Sequence, residues 1–299
     1  VPDISTVPLQ QATACCGCLP SAENCVSRLH SFLIVKHMDS KWTYAEFEGV
    51  FRQADETAAS RDRAGTIKEL RRLSLDQFAF LLWSLPNPRW PALSRLLPAS
   101  PTVEQQEGWT GASGTALLGQ SIPFLRTLAW QFEHVTGRRL ELSRVLDFGC
   151  GYGRYLRLME YFIDPAQLFG CDPWQPSLDA CAAARVQGTI ALSDWLPRSL
   201  PFGGLTFDLV YAFSVFTHLP PSVLTDCLAA IRQSISPNGL LVATILPMEF
   251  WLTPSHATVA DPATFIAQHR RDGFAFNPSS TSHYGELTIS PAALARLAA

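Results

Sequence analysis

The segment DFGCGYGR, residues 147–154, concentrates the residue types that could do chemistry. Gly149, Gly151 and Gly153 alternate with larger residues, and glycine lets a backbone turn sharply and approach a ligand closely. An apolar run, RVLDFG, leads into the loop and a helical pattern, RYLRLMEYF, leads out of it. Strand, tight turn and helix start in that order would present free N–H groups to a carboxylate or phosphate. Asp147 stands two residues before the first glycine, either at the ligand or as a cap for the following helix. Asp172 closes the next apolar run, QLFGCD, 23 residues beyond Gly149. An acid at a second strand end can accept hydrogen bonds from both ribose hydroxyls, or it is an ordinary strand-end aspartate.

These groups need a scaffold, and the flanking pattern supplies one. Short apolar runs at 144–149, 167–172, 189–194, 207–213 and 239–245 alternate with amphipathic stretches at 154–162, 177–185 and 222–235. Continuous apolar strands alternating with helices predict an α/β fold with a doubly wound, mostly parallel sheet covered on both faces. Ligands of such sheets bind beyond the carboxyl ends of the strands, where the glycine loop falls. Upstream, the pattern is helical from Thr43, with Phe47, Val50, Phe51 and Ala54 on one face, and a single helix is expected over 66–85. The proline-rich 84–101 closes this part. The expected division is an N-terminal helical or irregular region, 1–100, and a ligand-binding domain, 101–299. Within the second, a helix is expected to stop at Thr136-Gly137.

The loop admits two ligand classes. A dinucleotide fingerprint, G-x-G-x-x-G, would require glycine at 154, where Arg154 stands. VLDFGCGYGR instead resembles motif I of class I methyltransferases dependent on S-adenosylmethionine (SAM), which have a Rossmann-like fold. FDLVYAFSVFTHLP (207–220) resembles that family's fourth-strand segment. SPNGLLVATI (236–245) resembles its turn and fifth strand, with Pro237-Asn238-Gly239 in place of the usual P-G-G. The resemblance covers about 107–245. It implies that Gly149, Cys150, Gly151 and Gly153, with Asp147, wrap the methionine part of the cofactor, and that Asp172 holds the ribose. It implies further that Asp194 and Trp195 lie beside the adenine, and that Phe213 and Ser214 border the cofactor. His218 stands at the mouth, as a general base or as an anchor of its loop. EGWTGASG (107–114) followed by TGRRLELSRVLDFGCGYGR is similar to a bacterial subgroup acting on small molecules or sugars. The implied reaction is methyl transfer to a small-molecule or sugar acceptor, at a hydroxyl. The alternatives are a protein or RNA methyltransferase, or a non-catalytic SAM-binding module. Trp109 is lid or core, Arg154 meets either a carboxylate or the ligand, and Tyr284 approaches the substrate or stays at the surface.

The place of an Asn/Asp-Pro-Pro-Tyr/Phe motif reads FSVFTHLP, and no cysteine follows a proline, which argues against methylation of nucleobase amines or of cytosine C5. A net charge of −3 with 16% charged residues gives no positive field for nucleic acid or a membrane surface. No run reaches the roughly 18 apolar residues of a membrane span, no signal peptide is visible, and a cytoplasmic location is expected. Cys150, Cys171, Cys181 and Cys227 lie in apolar segments as small hydrophobes. Cys15, Cys16, Cys18 and Cys25 lack the C-x-x-C spacing and His pair of a zinc site, and no metal is expected. After Ile245 the pattern offers helices near 262–271 and 291–299 but only ELTI (286–289) as a strand. The final hairpin of the family is therefore expected to be missing, or the open sheet edge to pair in a homo-oligomer.

Overall fold

A computed structural model describes residues 44–253, 261–279 and 284–298 of the 299-residue chain. Strands β1 (Val145–Phe148), β2 (Leu168–Asp172), β3 (Thr189–Leu192), β4 (Phe207–Ala212) and β5 (Ile235–Ala243) pair in parallel in the order β3-β2-β1-β4-β5. The chain winds outward from β1 through β2 to β3 and then returns to the other side of β1 with β4. The winding thus reverses between β1 and β4, the point at which such sheets open a crevice. Residues of β1, β2 and β4 are almost all buried, which is why they read as unbroken apolar runs.

The region before residue 100 folds as α1 (Tyr44–Ala59), α2 (Arg63–Leu70), α3 (Leu75–Ser84) and α4 (Pro91–Leu96). The single helix expected over 66–85 is two helices. Ser74 restarts the chain: its Oγ accepts from the Gln77 N–H and the Gln77 side chain accepts from the Ser74 N–H, a reciprocal cap that overrides the continuous apolar spacing. These helices pack on the sheet through α6 (Thr115–Thr136), preceded by the short α5 (Val103–Thr110). Phe51, Leu70, Phe78 and Leu93 share one buried cluster with Leu128 and Phe132 of α6 and with Val145, Leu209 and Tyr211 of the sheet. The core therefore runs across residue 100. α6 stops at Gly137, in the left-handed conformation with φ 66°, at the expected place.

The remaining helices α7 (Arg154–Met159), α8 (Gln175–Ala183) and α9 (Pro221–Ser234) connect the strands, and α10 (Pro262–Asp272) and α11 (Pro291–Ala298) lie in the C-terminal part. Two differences from expectation lie at the C-terminal side of the sheet. Pro237-Asn238-Gly239 is no turn with positive φ; it is a bulge inside β5, and Gly239 is required because a Cβ there would stand 2.9 Å from the Phe207 carbonyl oxygen. A hairpin does follow, as a separate two-stranded sheet that does not extend the five: β6 (Phe274–Pro278) pairs antiparallel with β7 (Gly285–Ile289), which holds the expected ELTI strand. Its strands are too short for a periodic signal, and long-range bonds define them. Gly285, Leu287 and Ile289 donate N–H to the carbonyls of His218, Thr217 and Leu246. The hairpin thus docks at the carboxyl ends of β4 and β5. Among the described residues, the outer edge of β5 has no strand partner except the bridge between Leu246 and Thr288.

The cysteines at 15–25 lie outside the described residues. Among those described, no helix is long and apolar enough to cross a membrane, and no group of three or more His, Cys, Asp or Glu side chains could hold a metal.

Candidate cofactor and acceptor site

All three loop glycines adopt positive φ, 76° at Gly149, 52° at Gly151 and 75° at Gly153. Their reasons differ. A Cβ at Gly149 would lie 2.4 Å from Val215, and one at Gly153 would lie 2.9 Å from Val186, so these two close the loop on its neighbours. At Gly151 a Cβ would meet nothing within 4 Å. That position faces open space, as a ligand-facing glycine must. Four amides of the turn before α7 are spent within the protein. The N–H groups of Gly149 and Cys150 share the Cys171 carbonyl, that of Gly151 goes to Asp172 Oδ2, and that of Gly153 to the Cys150 carbonyl. A tight turn satisfies its own donors, so this loop offers a surface more than an anion cradle. The Cys150 thiol is buried under the loop beside Cys181, whose Sγ donates to the Gly151 carbonyl at 3.2 Å. Cys150 can therefore meet a ligand only through its backbone.

Asp172 stands across the loop. Its Oδ2 accepts from Gly151 N–H at 3.0 Å and its Oδ1 from Trp174 N–H at 3.0 Å. These bonds fix the carboxylate and leave each oxygen a further lone pair. Burial pushes its carboxyl above the usual carboxylate range, and the two backbone donors work against that. Trp109 of α5 lies between the glycine loop and this strand end, with ring centroids 5.3 Å from Tyr152 and 5.3 Å from Trp174. Trp174 is 44% exposed, so the aromatic group borders solvent and is not core. The loop after β3 is tied to Asp172 by the Ser193 N–H, and it carries Asp194 and Trp195 exposed at the surface, Trp195 by 60%.

Asp147 lies deeper. It is 2% exposed, faces Tyr211 across the sheet, and its Oδ2 is sealed with no hydrogen-bond partner. It does not cap α7, whose N-cap is Gly153 without a side-chain bond. Burial, opposed by Tyr211 and Arg154 and reinforced by Asp172, pushes its carboxyl up to about 8. The hydroxyls of Tyr152, Tyr155 and Tyr211 are buried around it, Tyr211 beside Asp147 itself, Tyr152 beside Thr110 and Tyr155 beside Ser121.

The end of β4 forms the other wall. Phe213 packs edge-on to Phe124, centroids 4.9 Å apart, and Ser214 follows, exposed and at φ 58°. A non-glycine residue held in that region carries strain that clusters at functional sites. His218 Nε2 lies 3.4 Å from Ser214 Oγ, and Nδ1 lies 3.0 Å from the Gly285 carbonyl of β7. Tyr284 stacks on the imidazole, centroids 4.9 Å apart and planes 10° from parallel, and Glu286 Oε2 is 3.8 Å from Nδ1. Since Nδ1 faces a carbonyl it must donate, so the neutral ring leaves Nε2 as the acceptor, facing Ser214 Oγ. Sequence reasoning named His218 and Tyr284 separately. Nothing local signals that they stack, because the hairpin brings them together. Gly285 and Glu286 were missed for the same reason, and Gln120, Tyr152 and Trp174 because α5 and α6 meet the glycine loop only in the fold.

With this geometry in hand, comparison with known proteins is direct. Residues 145–239 match a family described as a methyltransferase domain. No curated protein matches the chain. Among solved structures, it is similar to the PH0226 protein of Pyrococcus horikoshii, at 18% identity over 58% of this chain and 78% of that one, with a TM-score of 0.41. It is also similar to DesVI of Streptomyces venezuelae (22% identity, 44% and 55% covered, TM-score 0.35). A third is CalS10, a SAM-bound amino pentose methyltransferase of Micromonospora echinaspora (21% identity, 41% and 50% covered, TM-score 0.34). The match spans about half the length of the latter two structures. The stretch from Val145 to Gly239, which carries the glycine loop, Asp172 and the β4 end, is the part that matches the methyltransferase-domain family.

Proposed function

We propose that this chain transfers a methyl group from SAM to a hydroxyl of a small molecule or sugar. One observation carries the reading: within the methyltransferase domain, Gly151 faces open space beside Asp172, a fixed carboxylate with acceptor capacity to spare. These residues fit the cofactor, since any side chain at 151 would occupy its place and an acid at the β2 end suits a ribose diol. SAM supplies a methyl group already activated on a sulfonium. What falls to the protein is alignment of the acceptor and, for a hydroxyl, removal of its proton. Gly149, Gly151 and Gly153 shape the floor, Asp172 holds the ribose, and Asp194 and Trp195 flank the base. Phe213 and Ser214 border the reacting side. His218 accepts the acceptor's proton at Nε2, while Nδ1–H stays on the Gly285 carbonyl and fixes the tautomer. Tyr284 holds the ring plane, and Trp109 shields the nucleoside side from water. The charge balance and the absence of a nucleobase-methylating motif favour a small acceptor over nucleic acid.

Calorimetric titration with SAM and with NADH tests the cofactor class, with binding of SAM alone expected. Transfer of label from methyl-labelled SAM into a fractionated metabolite pool tests the reaction. Binding without transfer to any metabolite overturns the enzymatic reading, and transfer to an amine overturns the hydroxyl.

A further inference from the structure

Two arginines follow the glycine loop, both buried, and they are satisfied very differently. Arg157, 1% exposed, gives its donors to the carbonyls of Gly153, Tyr152 and Ala99. Arg154, 7% exposed, makes one hydrogen bond, from Nη1 to Gln120 Oε1 at 3.2 Å. Its guanidinium lies 4.7 Å from the ring centroid of Tyr155 and 5.0 Å from that of Phe213. Among the described residues no carboxylate stands within 4.0 Å of it. A buried cation without a counter-ion is costly, and apolar rings do not replace the water it loses. Yet none of the Arg154 nitrogens is both sealed and unpartnered, unlike Nε of Arg63 and Arg138. Its unused donors therefore open onto the small accessible part of the residue. Gln120 spends its Oε1 on Arg154, so its Nε2 donors remain. The two side chains together make a surface of donors only.

Two neighbours that could have supplied the missing anion or replaced the donors do neither. The unpaired oxygen of Asp147 is sealed beneath the loop, and the loop amides of Gly149, Cys150, Gly151 and Gly153 are all spent inside the protein. A ligand anion arriving at this end of the loop meets the donors of these two side chains beside the start of α7. We infer that Arg154 and Gln120 are the seat of a ligand carboxylate, the α-carboxylate at the methionine end of the cofactor. The inference rests on the SAM reading and deepens it. Arg154 adjoins Gly153, so the seat belongs to the loop that shapes the cofactor floor. Gln120 comes from α6, outside residues 145–239, so the helical part of the chain completes the site.

The test compares two probes on the full chain by calorimetry. S-adenosylhomocysteine carries the carboxylate; 5′-methylthioadenosine has the same nucleoside and sulfur without the amino-acid end. Arg154→Met, whose side chain suits the aromatic walls, should bind S-adenosylhomocysteine about 10- to 100-fold more weakly, the scale of a charged hydrogen bond, and bind methylthioadenosine like the parent. Arg154→Lys, a point charge without the planar fork, should lose less, and Gln120→Leu less again. Should Arg154→Met fail to fold, the last two variants carry the same comparison. Unchanged binding of S-adenosylhomocysteine, or equal loss for both probes, overturns the seat while leaving the cofactor reading intact. A parent protein that binds neither probe overturns the cofactor reading itself.

Discussion

Around Gly149–Gly153 and Asp172 the bonds that shape the site join residues 21 and 30 apart in the chain; around His218 the shaping bond reaches 67 residues, to Gly285. The nucleoside side is one strand–loop–helix unit with its neighbouring strand. Its geometry follows from glycines at positive φ and from amides that satisfy each other. The acceptor side is assembled when the C-terminal hairpin docks against the turn after β4. Closing the longer loop costs more chain entropy, though the dependence on length is slow. The larger consequence is dependence on distant parts of the chain: the hairpin is held by backbone bonds to Thr217, His218 and Leu246 and by Leu287 and Ile289 buried against the sheet.

The strongest way to break this contrast is at the glycines. Gly151→Val should abolish measurable SAM binding in calorimetry, because its side chain would fill the open side of the loop. Gly149→Val should instead fail through stability. Both variants carry left-handed strain of about 1–2 kcal/mol, and Gly149→Val adds overpacking of about 1–3 kcal/mol against Val215. A thermal melt separates the two, and similar melting temperatures for both variants would sink the distinction. On the acceptor side, His218→Ala should lower kcat by about 10²- to 10⁴-fold with SAM affinity unchanged. A small rate effect with a large fall in melting temperature would make His218 a loop anchor.

Asp172→Ala should weaken SAM binding by about 1–3 kcal/mol, the scale of a lost charged acceptor, and leave the hairpin's protection from hydrogen exchange unaltered. Asp147 sharpens the picture from beneath. Its carboxyl titrates near 8 in the fold and near 3.8 when exposed. Between those values the folded state keeps a proton that the unfolded state has lost, so this group's contribution to stability falls as pH rises from about 4 to about 8 and is level above. Asp147→Asn should remove that part of the slope, and its melting temperature should exceed the parent's by more at pH 8 than at pH 5. A constant difference across that range would contradict the burial argument. Smallest of all, Tyr284→Ala should cost about 0.5–1.5 kcal/mol, the scale of a ring stack. The loss should appear as faster exchange of the β7 amides and a modest fall in kcat, with SAM affinity unchanged.

Much of the cofactor side was legible in the residues. Alternating glycines after an apolar run, and an acid 23 residues on, are local signals of a strand end, a tight loop and a second strand end. The five parallel strands followed from the same alternation. Other features were misread where a short-range rule met a long-range one. The expected helix over 66–85 broke at Ser74, because a cap outweighed apolar spacing. Gly239 served a close approach to Phe207 within a bulge, where a turn was expected. Of the hairpin only ELTI in β7 was legible; β6 was not, and the bonds from β7 to Thr217, His218 and Leu246 that seat the pair are long-range.

The sequence by itself determined which backbone segments could be strands, where glycine freedom was needed, and which acids stood at strand ends. These follow from side-chain size, φ preference and apolar period, all properties of neighbouring residues. Tertiary structure decided the charges and partners. It sealed the Asp147 carboxylate under the loop, left Arg154 without an anion, and spent the loop amides internally. It set the His218 tautomer through a carbonyl 67 residues away. Hydrogen-bond satisfaction and burial depend on every element that packs around a group, and no window of sequence contains them all.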